Sequence, residues 1–141
     1  RSTLFPYTTL FRSVKFARLE FSGSLNAMFA ATVIFFRNRS EDFPAGAFPQ
    51  RIRSRTHFPA EGYRPHFAPK GSREMLGIVF AAFEHTRFGE PLQAGLDYLY
   101  PGRVDYSALR PGTEFWIMEG GTAVGEGVIT TNDQPPAKQA T

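Results

Sequence analysis

The chain has 141 residues, 42% hydrophobic and 15% aromatic, which is apolar material for one ordinary domain and too much for a wholly disordered chain. Its 16 Lys+Arg stand against 13 Asp+Glu, and the absence of Cys excludes disulfide frameworks and thiolate metal sites while fitting a reducing cytoplasm. The apolar run Met28 to Phe36 stops at Arg37, well short of the roughly 20 residues that span a bilayer, so a soluble cytoplasmic domain with no membrane partner is expected.

In chain order, residues 1 to 13 (Arg-Ser-Thr-Leu-Phe-Pro-Tyr-Thr-Thr-Leu-Phe-Arg-Ser) resemble the translation of a common short-read sequencing adapter, and are set apart from the fold as an artefact. Residues 14 to 27 read as untranslated sequence or a disordered leader, the other reading being a basic amphipathic or targeting peptide. Met28, the first methionine, is the expected start. Leaving out residues 1 to 27 removes four basic residues and one acidic one from the 16 and 13, so the remainder carries 12 of each sign and no net charge. No global field of this remainder argues for nucleic-acid binding, although a local basic patch could still bind RNA.

From Met28 the dominant period is two. Phe29, Ala31, Val33 and Phe35 alternate with Ala30, Thr32, Ile34 and Phe36, which predicts a strand with two apolar faces. Arg37 to Gly62 is polar and interrupted by Pro44, Gly46, Pro49 and Pro59, so a long loop is expected there. Tyr63 to Phe67 and Met75 to Phe83 read as strands able to pair, and Leu92 to Tyr100 as a strand with one buried and one wetter face. Phe115 to Met118 and Ala123 to Thr130 flank Glu119-Gly120-Gly121-Thr122, whose adjacent glycines supply the positive φ of a tight hairpin. Gly125 and Gly127 inside the second of these strands point to a bulge or a close approach by another backbone. Residues 131 to 141 are polar and Pro-rich and are expected to be disordered. Six short strands without helix define an all-β class, a small antiparallel barrel or sandwich, over residues 28 to 130.

The chemistry-bearing residues are few. Arg51-Ile52-Arg53-Ser54-Arg55 is either a phosphate patch or a solvated loop balanced by Glu41, Asp42 and Glu61, because a guanidinium forks onto either kind of anion. His57, His66 and His85, with Glu61 or Glu84, fit no metal-ligand spacing, so no metal is expected. Ser54, Ser72 and Ser107 lack the G-x-S-x-G setting of a nucleophile, and no catalytic residue or cofactor is assigned. Phe115, Trp116 and Met118 could present a platform for bases, yet alternation places Phe115 and Ile117 in the core. Tyr63 reads either as a base-stacking ring or as a cap on the barrel end with a wet hydroxyl.

Three segments carry a family resemblance: Met28-Phe-Ala-Ala-Thr-Val-Ile-Phe-Phe36, Gly62-Tyr63-Arg64-Pro65-His66-Phe67, and the stretch from Gly112 through Glu119-Gly120-Gly121 to Ile129. In order and spacing they resemble the C-terminal β-barrel of elongation factor Tu, whose stretches run G-Y-R-P-Q-F and G-L-R-F-A-I-R-E-G-G-R-T-V-G-A-G-V-V. The resemblance implies a closed six-stranded antiparallel barrel standing alone, and no GTP hydrolysis, since no G-x-x-x-x-G-K-[ST] occurs and no nucleotide is expected to bind. In that factor the barrel grips the T-stem of aminoacyl-tRNA. The matching positions here are Arg55 for the loop arginine, His66 for the glutamine, and Glu119 and Gly120 for the hairpin pair. The threonine after the second stretch is lost and the hairpin arginines become Met118 and Thr122. The implied function is therefore a non-catalytic, translation-related module with weak affinity for tRNA or other structured RNA. A protein-interaction adaptor without RNA affinity is the competing class, and an enzyme using His66 in a loop-covered pocket is a third.

Overall fold

Phe29–Phe35 forms β1, buried along its whole length. Phe29, Ala31, Val33 and Phe35 enter the main core while Ala30, Thr32 and Ile34 are buried on the opposite side, as the two-faced apolar pattern requires. The structure is a computed structural model that describes residues 27 to 139. The adapter-like segment and the leader up to residue 26 lie outside the described residues.

The remaining strands are β2 (Ser40–Asp42), β3 (Arg51–Arg53), β4 (His66–Pro69), β5 (Leu76–Phe83), β6 (Leu92–Tyr98), β7 (Glu114–Glu119) and β8 (Thr122–Thr131). Antiparallel pairing runs β1-β6-β5-β4-β7-β8, and β8 returns to β1, so six strands close into a barrel. Closure removes the unpaired edges that an open sheet of these strands would expose. Two strands lie outside the barrel. β3 runs parallel to the start of β8, pairing Arg51 with Thr122 and Ile52 with Ala123, and β2 pairs with β3. The expected long loop from Arg37 to Gly62 thus contains a short two-stranded arm. Three-residue strands of sequence Ser-Glu-Asp and Arg-Ile-Arg have no apolar alternation to announce them; pairing with β8 and burial of Ile52 create them.

The barrel interior is filled from alternate positions. Phe67 and Phe115 stack with centroids 3.9 Å apart, and Phe80 packs against Phe35, Phe67 and Phe83. Phe115 and Ile117 are fully buried in this core. Met118 is buried as well, but on the outer wall, where it joins Phe36, Ile52, Ala68 and Ala123 with Trp116 and Phe48 packed against them. The arm therefore covers part of the barrel's outside and gives it a second, smaller core.

Gly125 and Gly127 lie where β8 meets β1, and the close approach expected of them is present. A Cβ on Gly127 would stand 2.5 Å from the Thr32 carbonyl oxygen and one on Gly125 2.6 Å from that of Ile34. The β7–β8 register also shifts between Ile117 and Met118, a bulge that lets the barrel bend.

Two further boundaries differ from expectation. The segment from Gly62 to Pro65 runs beside β5 through Phe80 N to Tyr63 O (2.8 Å) and Ile78 N to Pro65 O (3.0 Å), but β4 itself begins at His66 because Pro65 has no N–H to donate. Residues after β8 are held by the barrel: the buried Asn132 accepts from Tyr98 Oη at 2.5 Å and donates to Leu109 O at 2.6 Å, and Tyr106 N donates to Pro136 O at 2.8 Å. The Asn132 side chain and the Pro136 carbonyl are hydrogen-bonding partners for this part of the barrel, which a composition argument for disorder does not register.

Candidate functional site

Strand alternation decides the site. In β3 the side chain of Ile52 turns onto the barrel wall, so Arg51 and Arg53 turn to the other side, and the chain continues to Ser54, Arg55, Thr56 and His57 along a groove of about 380 Å³. The opposite bank is Glu119, Thr122 and Val124, brought there by the β7–β8 hairpin. The turn at Gly120 has φ 62°, which a residue with a Cβ reaches only with strain. The expected hairpin, with Glu119 paired to Thr122 across Gly120-Gly121, is thus what positions the acidic residue of the site.

Arg55 and Glu119 meet. The Arg55 guanidinium forms an ion pair with Glu119 Oε2 and lies 4.7 Å from the centroid of the Tyr63 ring, while its Nε donates to His57 O at 3.1 Å. Tyr63 Oη donates to the same carboxylate oxygen of Glu119 at 2.5 Å. Burial, reinforced by the hydrogen bond to Glu119, pushes the Tyr63 phenol well above its ordinary range, so it stays a proton donor. Tyr63 packs against the core at the barrel end, as one of its two readings has it, but its hydroxyl is engaged by Glu119 and not left to water.

The other cations are committed differently. Arg53 donates to Asp42 Oδ1 at 2.8 Å and to two backbone carbonyls, and Arg39 pairs with Glu41 at 2.5 Å, as expected for a loop that balances its own charge. Arg51 donates to Thr122 Oγ1 at 3.0 Å and to Gln50 Oε1 at 3.5 Å, and no carboxylate among the described residues pairs with it.

His66 stands apart. It lies on β4 opposite Met118 and Gly77, and no hydrogen bond or ion pair among the described residues joins it to Arg55 or Glu119. The three histidines occupy separate places: His57 on the groove, His66 on β4, and His85 after β5 with its Nε2 2.9 Å from Pro91 O. No three His, Asp or Glu among the described residues gather as metal ligands. No described helix is long and apolar enough to cross a membrane. Sequence reasoning singled out Arg55, Glu119 and Gly120 but missed Thr122 as a groove residue. The signal for it was available, since the residue directly after a Gly-Gly turn lies opposite the one before it.

No family model matches the chain, and neither a curated protein nor a solved structure matches it.

Proposed function

We propose that this barrel is a non-catalytic binding module that holds structured RNA weakly by its phosphate backbone, along the face bearing Arg51, Arg53 and Arg55. The observation that carries the reading is that Arg53 and Arg55 line one groove with Thr122, whose hydroxyl accepts from Arg51 beside it, a row of donors suited to phosphate oxygens. The resemblance to the elongation factor's tRNA-gripping barrel adds Glu119 and Gly120 on the facing hairpin. The affinity is low because Arg53 and Arg55 already hold carboxylates, which a phosphate must displace, and because the domain from Met28 onward has no net charge to steer RNA.

Retention of tRNA as a function of salt tests this. Each phosphate contact adds roughly 0.7 to 0.9 to the slope of log affinity against log salt, so two or three contacts give a shallow dependence. Arg51→Ala and Arg55→Ala each lower affinity and reduce the slope by nearly one contact. If the wild type retains no RNA at low salt, the groove does not serve RNA, and a protein-binding adaptor takes its place.

A further inference from the structure

The arm has a second face. Opposite the arginines, Ile52 and the turn joining β2 to β3 close over the barrel wall, and Phe43, Phe48, Ile52 and Trp116 enclose an apolar pocket of about 230 Å³. A dry cavity of about 150 Å³ takes a benzene ring, so this one has room for a single large apolar side chain. No charged residue lines it. Phe43, at 39% exposure, is one of the few large apolar side chains that the described surface leaves open.

Two cations stand on the aromatic walls. Lys70 Nζ lies 4.2 Å from the centroid of Trp116 and the Arg73 guanidinium 5.5 Å from that of Phe48. Lys70 is tied to the buried Glu126 at 2.6 Å. Arg73 donates to Gly46 O at 2.5 Å, is exposed, and pairs with no carboxylate among the described residues. The pocket therefore offers an apolar slot with an uncompensated positive charge at its rim. Tryptophan and arginine at such a place are the residue types that dominate binding energy at protein interfaces.

We infer that this pocket docks a segment of another protein that presents one large apolar side chain next to a carboxylate. The apolar group fills the space between Phe48 and Trp116, and the carboxylate forks onto Arg73. A basic segment meets repulsion from Arg73, and a purely apolar one leaves the guanidinium unmatched. The inference stands independently of the RNA reading, because Arg51, Arg53 and Arg55 lie on the other face of the arm.

Trp116 is the single tryptophan, so its fluorescence reports on the pocket alone. The probes are short synthetic peptides with a central Phe, Leu or Ile followed by Asp, and counterparts with Lys in place of that Asp or Ala in place of the apolar residue. The full chain is expected to show saturable Trp116 quenching with the Asp peptides, and affinity at least about tenfold lower for both counterparts. Arg73→Glu is expected to lose the Asp peptide by about tenfold and gain the Lys peptide. Phe43→Ser weakens both while its circular dichroism stays that of the folded barrel. RNA retention by Arg73→Glu equals wild type, which separates failure of this inference from failure of the RNA reading. No saturable quenching at low salt, equal binding by wild type and Arg73→Glu, displacement of the peptide by RNA, or self-association accounting for the quenching would each overturn the inference.

Discussion

Arg55 and Glu119, 64 positions apart in sequence, are joined by an ion pair over which Tyr63 presents both its ring and its hydroxyl. Two residues that a nucleic-acid reading assigns to a ligand are thus each other's partner. Glu119 acts as a built-in competitor for the guanidinium. If the groove holds RNA as proposed, the two truncations are expected to act with opposite sign: Arg55→Ala should weaken retention, whereas Glu119→Ala should free Arg55, tighten retention and steepen the salt slope by nearly one contact. Filter binding across a salt series checks it, and a Glu119→Ala protein that binds RNA no better than wild type would refute the competition.

The Arg55–Glu119 pair is partly exposed, so its own contribution to stability is small. A double-mutant cycle with Arg55→Ala and Glu119→Ala is expected to give a coupling of about 1 kcal/mol or less in denaturant melts. A coupling of several kcal/mol would mean that the pair holds the hairpin in place.

Lys70 and Glu126 form a different kind of pair, since Glu126 is 1% exposed. Lys70→Met leaves a buried carboxylate uncompensated and is expected to cost about 3 kcal/mol or more. Burial raises the Glu126 carboxyl above its ordinary value, with Lys70 opposing. A raised folded pKa means that the native state binds the proton more tightly than the unfolded chain. The resulting penalty is present above the folded pKa and is relieved as pH falls through it towards the unfolded value near 4.5. Wild type should therefore gain stability relative to Glu126→Gln on acidification through that window, as read from paired thermal melts. A difference that is flat with pH would contradict this.

Gly127 and Gly112 separate two roles of glycine. Gly127→Ala puts a methyl 2.5 Å from the Thr32 carbonyl oxygen and 2.9 Å from Phe115, and the backbone of β1 cannot yield; a loss of about 2 to 3 kcal/mol is expected. Gly112→Ala meets nothing within 4 Å and costs only the strain of φ +92°, about 1 kcal/mol. Equal losses in urea titrations would show that β1 and β8 can separate at low cost.

Tyr106 is fully buried, donating through Oη to Gly77 O at 2.7 Å and accepting from Tyr100 N at 3.0 Å. Tyr106→Phe leaves both backbone groups without that partner and is expected to cost about 1 to 3 kcal/mol. Amide exchange at Tyr100 should accelerate in the variant, and unchanged protection there would refute the role.

The barrel strands were legible because their signal is local. Apolar alternation from Phe29 to Phe36 and the Gly-Gly turn between two apolar runs need no knowledge of what they pack against, and together they determined an all-β class and the hairpin that carries Glu119. Gly125 and Gly127 announced a close approach for the same reason, since a missing side chain in a strand has few other uses. The arm was not legible, because Ser40–Asp42 and Arg51–Arg53 become strands only by pairing with β8 and burying one side chain, Ile52. Its two faces, arginines towards the groove and Ile52 towards Trp116, follow from that pairing. The tertiary structure alone decided that Arg55 reaches Glu119 while His66 stays on β4, since side chains from distant segments meet or miss according to strand register, which no one segment contains.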